Sequence, residues 1–488
     1  MKPLPAKYHN HVVVCSLLAM AVLYALLVVW NHLCFRTYGL DLGIYTKALY
    51  DYAHLNWCDC SFYLWERGNL LGDHFDLLLV LLSPLVYLFG DWTLLLVQVS
   101  AVLCGGYGVY RLMRLYYDDF LVPWLAMMSL LISFGVWHAL SFDYHSNVVA
   151  AMLLPWLLYC IKRGLFKRAT AIACAMAICK ETSAIWLLAV LVALLFDYRK
   201  SPRERRWLVG AVVCCLAYVA VVTLFVMPVL IGGSSPGFWC YKWMGSDMGS
   251  VALWILCHPL QTVSSLFVNF TGNAAHNGLK LEFFCCIAAS GMAICLLNPN
   301  YLIMLLPPLA MKMLSSDAEA FWGVGFHYNV EIAVVVTVGS FLALARIKQL
   351  RWRHGVALAA VLATCMTLFY TTAHPRTHIW KENVRVFDSR HYHQPEFDTA
   401  AARRMLNAIP RNASVCATTM FTPHLATRDS VYIFPMGLGY GAEYYLLLRE
   451  HWCYYEGEEE QVVGIINDTA RYRMVDTDGF IYLMQSKE

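Results

Sequence analysis

Charge is the scarcest thing in this sequence. Of 488 residues, 14% are Asp, Glu, Lys or Arg and 59% are hydrophobic, giving a mean hydropathy of +0.53. No soluble chain of this size needs so much apolar surface, so the composition describes an integral membrane protein. A net charge of +3, with no basic block and no aromatic-interleaved RNA motif, gives no support to a nucleic-acid partner. Internal repeats, heptads and low-complexity tracts are missing, as is HExxH. No small-x-small cleavage site follows the first apolar run, Val12 to Trp30, so this run is expected to remain as a signal anchor behind Lys2 and Lys7. Cysteine is plentiful, eighteen in all. Most, such as Cys174, Cys179, Cys214, Cys215, Cys285 and Cys286, lie inside apolar runs as small hydrophobes. Cys58, Cys60, Cys240, Cys416 and Cys453 fall in segments expected outside the membrane, where they either pair or stay free thiols. No Cys/His pair completes a zinc site beside Cys58 and Cys60.

About eleven segments can span a bilayer. They lie near 11–34, 92–114, 119–140, 146–162, 166–180, 182–198, 207–231, 279–297, 300–314, 328–347 and 354–372. With the N-terminus inside, the inner loops carry Arg111 and Arg114, then Lys162, Arg163, Lys167 and Arg168. Arg199, Lys200, Arg203, Arg205, Arg206, Arg346, Lys348, Arg351 and Arg353 follow on the same side, as the positive-inside rule requires. Leu77 to Phe89 is apolar but too short: thirteen residues rise about 20 Å against a core of about 30 Å. Counting it as a span would invert every later loop, so it reads as an interfacial or re-entrant helix. Val251 to Val268, broken at His258-Pro259, reads the same way. The expected architecture is an α-helical polytopic membrane domain, 1–372, with a long first outer loop, 35–91, and then a soluble outer-face α/β domain, 373–488. In that tail PEFDTAAARRMLNAIP and EEEQVVGIIND read as helices, ASVCATT, VYIFP and AEYYLLL as strands, and ARYRMVD with GFIYLMQ as a hairpin around Asp478-Gly479.

The loop from Arg36 to Asp76 is far longer than a turn between spans needs. It holds Asp41, Asp51, Asp59, Glu66, Asp73, His74 and Asp76. Apolar residues Leu42, Tyr45, Leu49 and Tyr52 at helical spacing predict a helix lying on the membrane surface, with Asp41 near its N-terminus. Gly39 and Gly43 flank Asp41 and predict room for a bulky headgroup. Three further clusters share its face by parity: His138, Asp143, His145 and Asn147; Lys180-Glu181; and Glu319, His327 and Glu331. Any one of them can be a helix cap. Four on one face predict a polar cavity. Asp41, Asp73 and Asp143 would sit at the water–lipid boundary, where a carboxylate can take the proton from an attacking hydroxyl. His74 and His145 could instead join the carboxylates around a divalent metal. Arg67, Lys180 and Lys242 can hold a phosphate, or simply extend to the interface.

The stretches YGLDLGIYTKALY, GDHFDLLLVLLSPLVYLFG, FDYHSN, CKETSAIW, FHYNVEIA and IPRNASVCATTMFTPHLATRDSVYIFP resemble the family of predicted prokaryotic membrane proteins called domain of unknown function 2079. More widely, the long acidic first loop, the second acidic motif and the outer tail resemble the glycosyltransferase-C (GT-C) superfamily, whose members use lipid-phosphate sugars. That resemblance implies a polyprenyl-phosphate-linked sugar donor and a multi-pass protein of the bacterial inner membrane. It implies Asp41 as base and Asp143 in the second acidic motif, with Asp73, His74, His145, Lys180, Glu181, His327 and Arg67 as candidates for binding substrate. Superfamily members often carry paired acids at the first site, whereas here Asp41 stands alone in GLDLG, so metal use stays open. The competing readings are a transporter or flippase for a lipid-linked glycan and a non-catalytic scaffold. The spans from 11–34 through 207–231 carry no central charge of the kind ion-coupled transporters use. The topology is testable: a cysteine engineered near Asp468 should react with an impermeant reagent in intact cells, and labelling only after lysis would refute an outside tail.

Overall fold

The computed structural model describes residues 6–57, 69–231, 236–374, 384–393, 395, 397–449 and 457–487. All eleven expected spans are helical, but they are of two kinds. Among the described residues six helical stretches are long and apolar enough to cross a membrane, including His9–Leu33, Leu121–Ser141, Pro202–Leu230 and Leu350–Ala373. A seventh appears if Gly249–Cys257 and Pro259–Phe267, bent by 98° at His258-Pro259, count as one. The others, Ser146–Lys162, Phe166–Cys179, Glu181–Asp197, Pro299–Met313 and Val330–Ala343, have 14 to 17 residues. Such helices rise about 21–26 Å, short of the roughly 30 Å core. Their ends therefore carry polar residues at depths that only neighbouring protein can satisfy.

Close packing holds these short helices. Thr93–Met113 presents Gly105 and Gly108 to Ser146–Lys162; a Cβ on Gly105 would meet Met152 at 2.5 Å and one on Gly108 would meet Trp156 at 2.7 Å. The Trp156 indole then donates to the Cys104 carbonyl at 3.0 Å. This is close approach through small residues, the usual device for pairing helices in lipid.

Leu77 to Phe89 folds as two short helices, Leu77–Leu82 and Val86–Phe89, which Gly90 ends with a positive φ of 56°. The predicted surface helix exists as Ile44–Ala53, but it does not lie on a surface. Ile44, Tyr45, Thr46, Lys47, Ala48, Leu49, Asp51 and Tyr52 are all buried. Its one charged pair, Lys47 with Asp51, is closed within the helix, which lets the polar face be covered as well.

Leu77 to Phe89 packs along this helix, and the tail reaches it through Asp429, which accepts from the Tyr50 hydroxyl at 3.1 Å. Strands β1 (Val415–Ala417), β2 (Val431–Ile433), β3 (Tyr444–Leu448), β4 (Tyr472–Thr477) and β5 (Ile481–Ser486) form one sheet in the order β2-β1-β3-β5-β4. The first three strands are parallel, while β5 runs antiparallel to both β3 and β4. Side chains alternate along a strand, and here the alternation separates two cores. Val415, Ala417, Val431, Ile433, Leu446, Leu448, Ile481 and Leu483 belong to one core continuous with the membrane helices. Cys416, Tyr445, Leu447, Tyr482 and Met484 face the other way, against Val462 and Ile465 of helix Glu458–Asn467. Cys240 and Cys416 are buried; Cys58, Cys60 and Cys453 lie outside the described residues.

Hydrogen bonds fasten tail to membrane part. Arg36 donates to the carbonyls of His391 (2.7 Å) and His393 (2.9 Å), and Arg403 to that of Leu33 (2.6 Å). Gly39 N–H donates to Thr419 Oγ1 at 2.9 Å. The space beside Gly39 is thus filled by the tail rather than left for a headgroup: a Cβ there would lie 2.4 Å from Thr422 Oγ1 and 2.9 Å from Ile433 Cδ1. Gly39→Ala should lower the apparent Tm in detergent, in line with an overpacking cost of about 1–3 kcal/mol, and expose the tail to limited proteolysis. Adding Thr422→Ala should recover part of the loss; an unchanged Tm for the single variant would show that this contact does not hold the tail.

Candidate active site

The cluster starts from a one-turn π-helix, Gly39–Gly43, that leads into Ile44–Ala53 and carries Asp41. Two backbone donors of this turn are taken by another part of the chain. Tyr38 N–H donates to Asp143 Oδ2 at 2.9 Å and Leu42 N–H approaches the same oxygen at 3.5 Å. Asp143 sits between Phe134–Ser141 and Ser146–Lys162 with φ of 51°, a left-handed backbone that Asp tolerates better than most residues. Gln98 fixes that corner from both sides, donating to the Asp143 carbonyl (2.7 Å) and accepting from His145 N–H (2.8 Å). Burial, and then the neighbouring Asp41 carboxylate, push Asp143 well above the usual carboxylate range. Asp143 therefore faces the backbone of the Asp41 turn rather than open space.

Asp41 is the accessible carboxylate of the group, with its side chain 25% exposed. His145 Nε2 lies 3.1 Å from Asp41 Oδ1. The imidazole is buried and stacks on that of His327, centroids 3.4 Å apart and planes 18° apart, with Phe142 beside both rings. Two cationic rings cannot share such a stack. Burial lowers the pKa of both, well below the usual histidine range for His327. With His145 neutral, its Nε2–H donates to Asp41 and fixes the carboxylate's direction.

Lys180 links the remaining clusters. It stands between Phe166–Cys179 and Glu181–Asp197 in extended conformation. Its charge acts on Asp76, His145, Glu181, His327 and Glu331. Among the described residues, no acceptor lies within hydrogen-bond or ion-pair reach of its ammonium. Asp76 caps Leu77–Leu82 through the Leu78 and Leu79 N–H groups and accepts from Ser146 Oγ; burial raises it to about 7. Asn147 donates to Glu331 Oε1 at 2.8 Å. His74 lies between two carboxylates, 3.5 Å from Asp73 Oδ2 and 3.6 Å from Glu181 Oε1, while Glu181 Oε2 accepts from Phe75 N–H at 3.0 Å.

Of the residues singled out in the sequence, Asp41, Asp143, His145, His327 and Lys180 gather in one cluster, and Asp73, His74 and Glu181 form a linked group on its flank. Arg67 lies outside the described residues. His138 is buried against Thr371 Oγ1, at 3.0 Å, and Glu319 is exposed beside His276; neither joins the cluster. Two residues of the site had little signal in the sequence: Gln98, the one amide side chain in LLLVQVSAVL, and Ser146, which holds Asp76. No third His, Cys or carboxylate among the described residues joins Asp41 and His145 in a three-ligand metal group. Two cavities, of about 410 and 860 Å³, lie away from this cluster, around Trp243 and Phe270 and around Glu282 and Tyr370.

No curated protein is a detectable relative by sequence. Structure finds what sequence does not. ArnT from Cupriavidus metallidurans, solved bound to undecaprenyl phosphate, aligns over 98% of this chain and 98% of its own at 11% identity and a TM-score of 0.52. The Archaeoglobus fulgidus oligosaccharyltransferase, solved tethered to an acceptor peptide, aligns over 89% of this chain at 14% identity and a TM-score of 0.44; this chain spans 65% of that enzyme's length. The alignment with ArnT shows a shared fold. The profile of the family described as predicted membrane protein (DUF2079) matches residues 31–461. With most of its length matched, the acidic loop, most of the helices and strands β1 to β3 of the tail included, the chain belongs to the DUF2079 family of predicted membrane proteins.

Proposed function

We propose that the protein is a membrane glycosyltransferase that takes a sugar from a polyprenyl-phosphate-linked donor at the outer face, with the N-terminus inside and the tail outside. One observation carries this reading: the accessible Asp41 carboxylate, directed by a buried histidine, shares a cluster with the Lys180 ammonium, which has no paired acceptor among the described residues. In the reaction, Asp41 accepts the proton of the acceptor hydroxyl as that oxygen bonds to the anomeric carbon. The bond from that carbon to the donor phosphate oxygen breaks, and the polyprenyl phosphate leaves with the electron pair. Lys180 offsets the charge that develops on the leaving phosphate. Asp143 acts as a positioning residue through the backbone it holds, and His74 with Asp73 and Glu181 lines the donor side. The tail, 373–488, is a cover that shapes the acceptor entrance. That ArnT binds undecaprenyl phosphate on a similar fold supports a lipid phosphate as ligand. The ionisable residues gather at helix ends on one face rather than at mid-span, which favours an enzyme over an ion-coupled transporter.

Asp41→Asn keeps the shape and can still accept from His145, but it cannot take the proton. Transfer should fall by about 10²–10⁴-fold with expression and Tm nearly unchanged. The readout is turnover of a polyprenyl-phosphate sugar or restoration of the surface-glycan phenotype of a deletion strain. An Asn variant at normal level that restores the glycan fully would remove Asp41 from the role of base.

A further inference from the structure

Away from Asp41, three side chains from three distant parts of the sequence meet where the tail touches the membrane helices. His32 ends His9–Leu33, Asp91 lies in the turn Gly90–Trp92, and His424 lies in Thr422–Leu425 of the tail. One ligand atom from each falls within 4.8 Å of the others. We propose that His32, Asp91 and His424 bind a divalent transition metal of the zinc class, which clamps the tail to the membrane helices.

Four observations carry this. First, Asp91 Oδ2 lies 3.3 Å from His32 Nε2 and 3.5 Å from His424 Nδ1. These separations are long for charged N–H···O bonds, which run about 2.7–2.9 Å. They match the edge of a tetrahedron with metal–ligand arms of about 2.0–2.1 Å, an edge of roughly 3.3 Å. Second, His32 Nδ1 is paired with Thr37 Oγ1 at 2.9 Å, the outer partner that orients a metal-binding imidazole and leaves Nε2 for the ion. Third, His424 Nε2 is buried with no partner among the described residues, so the ring's polar contact is through Nδ1, the nitrogen that faces Asp91. Fourth, the site has apolar walls: the two imidazoles stack at 4.1 Å, Trp92 packs edge-on to His32, and Phe35 packs against His424.

Two imidazoles and one carboxylate suit zinc, and leave a fourth position for water. No ligand is shared with the Asp41 cluster, so the proposal stands apart from the reaction. Its place in the fold gives it a structural role: Thr37 lies two residues before the Asp41 turn, and Thr422 of the ligand helix packs on Gly39.

The test uses full-length protein in detergent, carrying no polyhistidine tag. Elemental analysis should find about one zinc per chain. A chelator should lower the apparent Tm and zinc chloride alone should restore it. His424→Gln and Asp91→Asn should each lose the zinc and the chelator response, whereas His424→Cys, which keeps a ligand, should retain both; His138→Gln controls for loss of an unrelated buried histidine. If the variants fail to fold, the wild-type measurement still decides. Wild type without zinc and with no response to it would leave a hydrogen-bonded His–Asp–His contact and overturn the proposal. Equal zinc in wild type and His424→Gln would also overturn it, by placing the metal elsewhere.

Discussion

One buried carboxylate holds this face of the molecule together. Asp143 accepts from the backbone of the Asp41 turn while its own carbonyl is held by Gln98. That places the first loop against the corner between two short helices, and it fixes Asp41 before any ligand arrives. Burial and the neighbouring Asp41 carboxylate both push Asp143 up, which favours its protonated form. Protonated, it still accepts the turn's N–H groups through its carbonyl oxygen. The stacked imidazoles of His145 and His327 obey the same logic, since neither can charge without facing the other.

The shortness of the inner helices makes this cluster possible. A helix of 14 to 17 residues ends inside the depth that a full span would cross. Its polar terminus must then be met by protein, and the termini at His145, Lys180-Glu181 and Glu331 meet one another. The tail closes the arrangement from above. It is not a separate body on a tether, because one face of its sheet shares a core with the membrane helices.

Much of this was legible in the sequence. Apolar run lengths with positive-inside alternation pick out the eleven helical segments, and period-two and helical patterns identify the five strands and two longer helices of the tail, though not the short helix Thr422–Leu425. Three features were hidden. The helix Ile44–Ala53 reads as amphipathic and surface-bound because sequence cannot say what covers a polar face, and here the segment Leu77 to Phe89 and the tail do. Gly39 and Gly43 read as space for a ligand, whereas at Gly39 small size serves close packing against Thr422 and Ile433. His32, Asp91 and His424 are spread over nearly 400 residues with no motif spacing, so only the folded chain brings them together. Asp143 was visible as a residue, but its backbone partners were not, since they depend on a left-handed φ in a loop.

The central claim is that the cluster around Asp41 receives a lipid phosphate, and Lys180 tests it most directly. Native mass spectrometry of detergent-released wild-type protein with undecaprenyl phosphate should show a retained adduct that resists activation better than phosphatidylglycerol does. Lys180→Met should lose that preference by about an order of magnitude while keeping its fold and its general lipid binding. Equal retention of undecaprenyl phosphate by wild type and Lys180→Met would contradict the account.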